Sequence, residues 1–278
     1  MTTYGVWVDD APGRVIKPGY WDQLKAFGFS TGALMLDTTE PGWDPLFTPG
    51  QVRQIYDLAV ARNIELVLTV WPVPRASVLD AMFDDLERHY LPIGPAALEV
   101  DCEGLWQPKY VGGFTDLRKA SIHLVNRMDK VRRDHDVRTE LTTFAGHPEA
   151  QAGCLVSRHV DRVLAQIYST RNNWRKEAVE WDSRYGPGIR QTKELEKFRK
   201  IPADEDGTPP KICVGLAAWD QKWPGHTIGD AMDLAFDAAM EWDPVEVRWW
   251  SAKHIWGVQS TGPGDADVRT WFEQWVAH

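Results

Sequence analysis

Ala97-Leu98-Glu99-Val100-Asp101-Cys102-Glu103-Gly104-Leu105-Trp106 alternates apolar with acidic residues. Successive side chains of a strand point to opposite faces. Glu99, Asp101 and Glu103 therefore share one face, and Leu98, Val100 and Cys102 the other. Three carboxylates in a column repel one another unless protons, hydrogen bonds or a cation intervene. Such crowding drives their pKa values apart, so one acid keeps a proton while its neighbour stays charged. A pair divided in this way can protonate a leaving oxygen and stabilise a developing cation, which is what cleavage of a glycosidic bond needs. The plainer reading is an exposed strand whose wet face is acidic.

Outward from this stretch, short apolar runs recur with helical patterns between them. The runs cover residues 4–9, 32–36, 64–70, the acidic stretch itself, 137–144, 160–168, 212–218 and 245–252. Helical periodicity covers 18–27, 48–62, 77–90, 116–134, 228–242 and 265–276. Thr48 and Thr227 stand where caps belong, and Pro49 suits a first helical turn. Residues 151–158 suit a short helix, and the polar stretch 169–210 one or two helices with a surface loop. Eight strands alternating with helices predict an α/β chain, a single (β/α)8 TIM barrel spanning residues 1–278. The alternative is a doubly wound sheet, but no GxGxxG follows the first strand and no Walker loop is present.

The chain has 278 residues, 43% of them hydrophobic, enough for a large core. A net charge of -9 with no cluster of Lys and Arg argues against nucleic acid and anionic membrane as partners. Cys102, Cys154 and Cys213 form no CxxC, so neither a disulfide framework nor a zinc knuckle is expected. The segment from Met1 to Asp10 has no basic region followed by an apolar one, which predicts cytoplasmic synthesis without a Sec-type signal. No run approaches the ~18 apolar residues of a membrane span. The 15 tryptophans are many for this length. Trp7, Trp71, Trp106, Trp219, Trp249 and Trp250 lie at or near strand ends, where an indole can stack on a sugar ring or simply fill the core.

In a TIM barrel the site forms at the C-terminal ends of the strands. Those ends carry Asp9 and Asp10, Asp37, Trp71, Asp101 and Glu103, Phe144 and His147, Gln166 and Tyr168, Trp219 and Asp220, and Trp249 to Lys253. Carboxylates and indoles together suit a carbohydrate, although Asp9, Asp10 and Asp37 equally suit caps of the helices that follow. The histidines are scattered and form no HExxH, so no metal and no cofactor are expected. A carboxylate-only magnesium site is the competing chemistry. GxSxG is absent. By parity Cys102 points away from the acids and packs against a helix.

Glu99-Val100-Asp101-Cys102-Glu103 resembles the fourth-strand DxDxE signature of family-18 glycoside hydrolases, the chitinase-like barrels, with Glu99 where that family has Asp. Gln166-Ile167-Tyr168 is similar to the family's sixth-strand Gln-x-Tyr, Val214 to Ala218 to its seventh strand, and Trp249-Trp250-Ser251 to its eighth. The Asp-x-Glu also resembles the fourth strand of family-25 lysozymes. The resemblance implies that Glu103 is the general acid/base. Asp101 orients an N-acetyl group whose carbonyl oxygen attacks the anomeric carbon, and Tyr168 hydrogen-bonds that acetamide. Glu99, Gln166, Asp9, Asp37, Trp71, Trp219, Trp249 and Trp250 then contact the glycan. Without a signal peptide, peptidoglycan is expected before chitin, and a phage endolysin released to the cell wall through a pore before a secreted chitinase. The alternatives are a non-catalytic glycan-binding barrel or phage structural protein, and a metal-dependent barrel hydrolase. The oligomeric state is not legible.

Overall fold

The computed structural model describes residues 1–37, 42–107, 110–144, 156, 159–167, 195–196, 211–218, 227–255 and 264–275. The eight apolar runs are eight strands: β1 Thr3–Val8, β2 Thr31–Met35, β3 Glu65–Val70, β4 Ala97–Asp101, β5 Arg138–Phe144, β6 Arg162–Gln166, β7 Lys211–Ala217 and β8 Glu246–Trp250. Each pairs in parallel with the next, and β8 returns to β1, so the sheet is the closed barrel of a single (β/α)8 fold. The described helices are α1 Pro12–Val15, α2 Pro18–Ala26, α3 Pro49–Val60, α4 Ala76–Asp85, α5 Phe114–His135, α6 Ile228–Met240, α7 Ala252–Ile255 and α8 Gly264–Trp275.

Local chemistry sets these elements. Thr48 accepts the Gln51 amide, and the Gln51 side chain caps the Thr48 amide in return, so α3 begins with a capping box and a proline in its first turn. Thr227 and Asp230 do the same for α6. The helix expected over 77–90 runs as α4 to Asp85 and then widens into a π turn over Leu86–Tyr90. The expected helices in 151–158 and 169–210 lie outside the described residues. Among the described residues no helix is long and apolar enough to cross a membrane.

Strand parity divides the core in two. Val6, Leu34, Leu68, Leu98, Val100, Cys102, Leu141, Val163, Val214, Leu216 and Trp249 belong to the large cluster between barrel and helices. Trp7, Ala33, Met35, Val67, Ala97, Leu164 and Cys213 form the small cluster inside the barrel. Between the inner apolar residues lies a layer of charge. Arg248 is wholly buried and ion-pairs with Glu99, with Glu140 at 2.9 Å and with Glu246 at 2.8 Å. Arg138 meets Glu140 at 2.7 Å, and Arg162 meets Glu246 at 2.9 Å. The guanidinium of Arg248 also lies over the Trp7 ring, 5.4 Å from its centroid. Two glycines make room. A Cβ on Gly5 would fall 2.3 Å from the Glu246 carboxylate, and one on Gly215 2.9 Å from the Trp7 ring.

Candidate active site

The acidic column lies on one face, and its three members have three different surroundings. Glu99 is deepest. Its Oε1 accepts the Trp7 indole N–H at 2.8 Å and the Thr142 hydroxyl at 2.5 Å, and its Oε2 accepts Arg248. Burial pushes this carboxyl up from its ordinary pKa, and Arg248 draws it back. Asp101 closes β4 and is 1% exposed. Its carboxyl is held well above the usual range, first by burial, then by the charges of Glu103, Glu99 and Asp37, against a hydrogen bond from Gln166. Gln166 Nε2 lies 3.3 Å from Asp101 Oδ1 and 3.5 Å from Oδ2.

Pairing with β5 continues past Asp101, because the Cys102 amide donates to the Thr142 carbonyl at 2.9 Å. That extension carries the alternation one step further and returns Glu103 to the face of Asp101. Glu103 is half-buried. Its carboxyl is raised to about 7 by burial, against hydrogen bonds from Gln166 and Asp101. Cys102 packs outside the barrel, as parity expects.

Asp37 follows β2 and reaches the same region. One of its oxygens accepts the Trp71 amide at 2.8 Å, and the other is buried without a hydrogen-bond partner among the described residues. Burial raises its carboxyl to about 7. It is therefore no helix cap but a third protonatable acid beside Asp101. Gln166 Oε1 is likewise buried and unpartnered. Trp71 and Trp250 are half-buried against the inner cluster, and the Trp7 and Trp250 rings lie 5.6 Å apart. The Trp250–Ser251 peptide is cis. Two neighbouring acids with raised pKa values, at the end of a barrel where Trp71 and Trp250 are half-buried, can supply general acid/base chemistry to a ligand that offers hydroxyls and flat apolar faces.

Two expected contacts are corrected. Trp249 is wholly buried on the other side of β8, 5.2 Å from Trp271 and 5.3 Å from Phe272 by ring centroids, so it cannot lie under a sugar. Adjacent strand residues face opposite ways, and Trp250 takes the inward place. Glu99 is sealed in the barrel with both oxygens engaged, so it does not touch a glycan. Asp9 gives one oxygen to Ser251 at 2.8 Å and the other to Lys253, tying β1 to the chain after β8. Tyr168 and Trp219 lie outside the described residues, as do His147 and Asp220. Arg248 and Glu140 were missed. Glu246-Val247-Arg248 carries the same alternation as the acidic stretch, and that was the available signal. Among the described residues no group of three or more His, Cys, Asp or Glu is arranged to hold a metal ion.

No protein-family model and no curated protein matches the sequence. Solved structures do match in fold. A group IV chitinase from Ostrinia furnacalis, in complex with allosamidin, superposes with a TM-score of 0.64 at 11% identity, over 100% of this chain and 99% of that one. A GH18 chitinase from Cycas revoluta in complex with (GlcNAc)3 gives 0.61 at 10% identity, over 100% and 99%. The xylanase and α-amylase inhibitor protein XAIP-I, in complex with trehalose, gives 0.62 at 12% identity, over 100% and 98%. The chain thus has the barrel fold that GH18 chitinases share with related glycoside hydrolases and with chitinase-like inhibitors.

Proposed function

We propose that the chain is a glycoside hydrolase acting on a glycan that contains N-acetylglucosamine, with Glu103 as general acid/base and Asp101 as its partner. The observation that carries this reading is the contrast between the two acids. Asp101 is buried and Glu103 half-open, on one face at the mouth of a closed barrel, with the Glu103 carboxyl raised to about 7. An acid poised there still holds its proton near neutrality and can give it to the glycosidic oxygen. Asp101 fixes the acetamide whose oxygen attacks the anomeric carbon, and Tyr168 hydrogen-bonds the same group. Trp250 and Trp71 offer ring faces to the sugar. The bound allosamidin and (GlcNAc)3 of the two chitinases support the choice of sugar, which chitin and peptidoglycan both contain.

The test is mass spectrometry of products from chitin oligomers and purified peptidoglycan. Glu103→Gln should lower kcat by roughly 10²–10⁴-fold, the contribution of a positioned acid, with a melting temperature no lower than that of the wild type. Unimpaired turnover in that variant would remove the assignment. A second reading, a barrel that binds glycan without cutting it, is favoured by the fold shared with XAIP-I. It predicts saturable binding and no new reducing ends.

A further inference from the structure

The ionic layer under the acid pair has a direct bearing on where the site's proton can go. Among the described residues Glu99 is held by three groups: the Trp7 indole from β1 and the Thr142 hydroxyl from β5 on Oε1, and the Arg248 guanidinium from β8 on Oε2. The Thr142 hydroxyl can turn to accept, but the indole on Oε1 and the guanidinium on Oε2 can only donate, so a proton on either oxygen would face a fixed donor and the surroundings favour the anion. Arg248 is in turn oriented by Glu246 on its own strand and Glu140 on β5, and it cannot lose its charge. Asp101, two residues further along β4, has different neighbours: Glu103, Gln166 from β6, Asp37 from beyond β2, and the fixed negative charge of Glu99 below.

We propose that Arg248 is a positioning residue: by holding Glu99 as an anion beneath Asp101, it keeps the site's exchangeable protons off Glu99 and among Asp101, Glu103 and Asp37 at the mouth. Glu99 is then a fixed charge and not a proton relay. Its field favours the protonated pair and keeps that proton at the mouth of the barrel, where substrate can take it. The effect on turnover rests on the glycosidase reading. The placement of the proton does not.

The experiment is carboxyl-carbon NMR titration of the folded chain labelled at Asp and Glu, without substrate. In the wild type the Glu99 resonance should stay at its ionised position while Asp101 and Glu103 titrate together as a coupled pair. In Glu99→Gln that pair should titrate at lower pH by about one unit, the scale of a removed charge a few ångströms away in protein surroundings. Glu140→Gln, which also strips a partner from Arg248, should leave the pair unmoved, separating the field of Glu99 from general loosening of the core. A wild-type Glu99 signal that moves in step with Asp101 overturns the proposal, and so does an unshifted pair in folded Glu99→Gln. If Glu99→Gln fails to fold, the wild-type titration decides alone. A chain that cuts no glycan removes the glycosidase and leaves this result standing.

Discussion

Replacing Arg248 by methionine removes the charge and keeps most of the aliphatic stem. The loss falls unequally on its three carboxylate partners. Glu246 keeps Arg162 at 2.9 Å, and Glu140 keeps Arg138 at 2.7 Å. Among the described residues Glu99 keeps only neutral partners, Trp7 and Thr142. One buried carboxylate is therefore left uncompensated, which costs about 3–5 kcal/mol at neutral pH, a large part of the 5–15 kcal/mol that typically holds a domain together. Without Arg248 the Glu99 carboxyl, already raised by burial, rises further above its unfolded value of about 4.3. A group whose folded pKa is raised supports the fold below its unfolded pKa and loses that support as pH rises through the folded one. The deficit of Arg248→Met should accordingly shrink on going from pH 7 toward pH 4, by about 1.4 kcal/mol per unit while the folded group holds its proton and the unfolded one does not. Arg248→Met combined with Glu99→Gln leaves no orphaned charge and should recover most of the loss. Urea unfolding followed by tryptophan fluorescence at pH 7 and pH 5 measures all three chains. A single-variant loss below about 1 kcal/mol at pH 7, or a double variant no more stable than the single, would refute the reasoning.

The two adjacent tryptophans of β8 should part company. Trp249→Ala empties a packed site against Phe236, Trp271 and Phe272 and should cost about 3–5 kcal/mol in thermal or urea unfolding. Trp250→Ala should change stability far less and weaken glycan binding in calorimetry. Asp37, with a folded pKa of about 7 against an unfolded value of about 3.9, should make the wild type lose stability as pH rises from about 4 through 7, by up to about 4 kcal/mol. Asp37→Asn should flatten that decline in melts at pH 5 and pH 8, and an unchanged slope would mean that Asp37 is not the group responsible. If Glu103 gives its proton in the rate-determining step, kcat/KM should fall as pH rises above about 7, and a flat profile through that range would exclude it as the acid.

The barrel was legible because its signal is local. Each strand is a short apolar run, and each helix shows its own period and often its own cap, as at Thr48 and Thr227. The acidic face of β4 was legible for the same reason, since alternation needs only neighbouring residues. The partners of that face were not. Arg248 stands 149 residues from Glu99, and only closure of the barrel brings them together. Asp9 reads from the sequence as a glycan contact or a helix cap, and its partners Ser251 and Lys253 reach it from the other end of the chain. Trp249 was a different kind of miss. Period two alone forbids adjacent residues from facing the same way, so at most one of Trp249 and Trp250 could have served a sugar.

Depth along a single strand gives three acids of one face three different chemistries. Glu99 sits where water is excluded, and an acid there is tolerable only with a counter-charge, which β8 provides. Half-buried Glu103 sits where enough water is lost to lift its pKa but enough opening remains to pass a proton. Asp101 lies between them, and its protonation is governed first by burial and then by the charges above and below it. The three guanidiniums Arg138, Arg162 and Arg248 balance the three carboxylates Glu99, Glu140 and Glu246 inside the barrel. That layer therefore adds no net charge to the mouth, and what reaches Asp101 is chiefly the near field of Glu99. Moving the Arg248 charge elsewhere in the layer would keep the fold's neutrality yet change the site, so the position of this guanidinium matters separately from its presence.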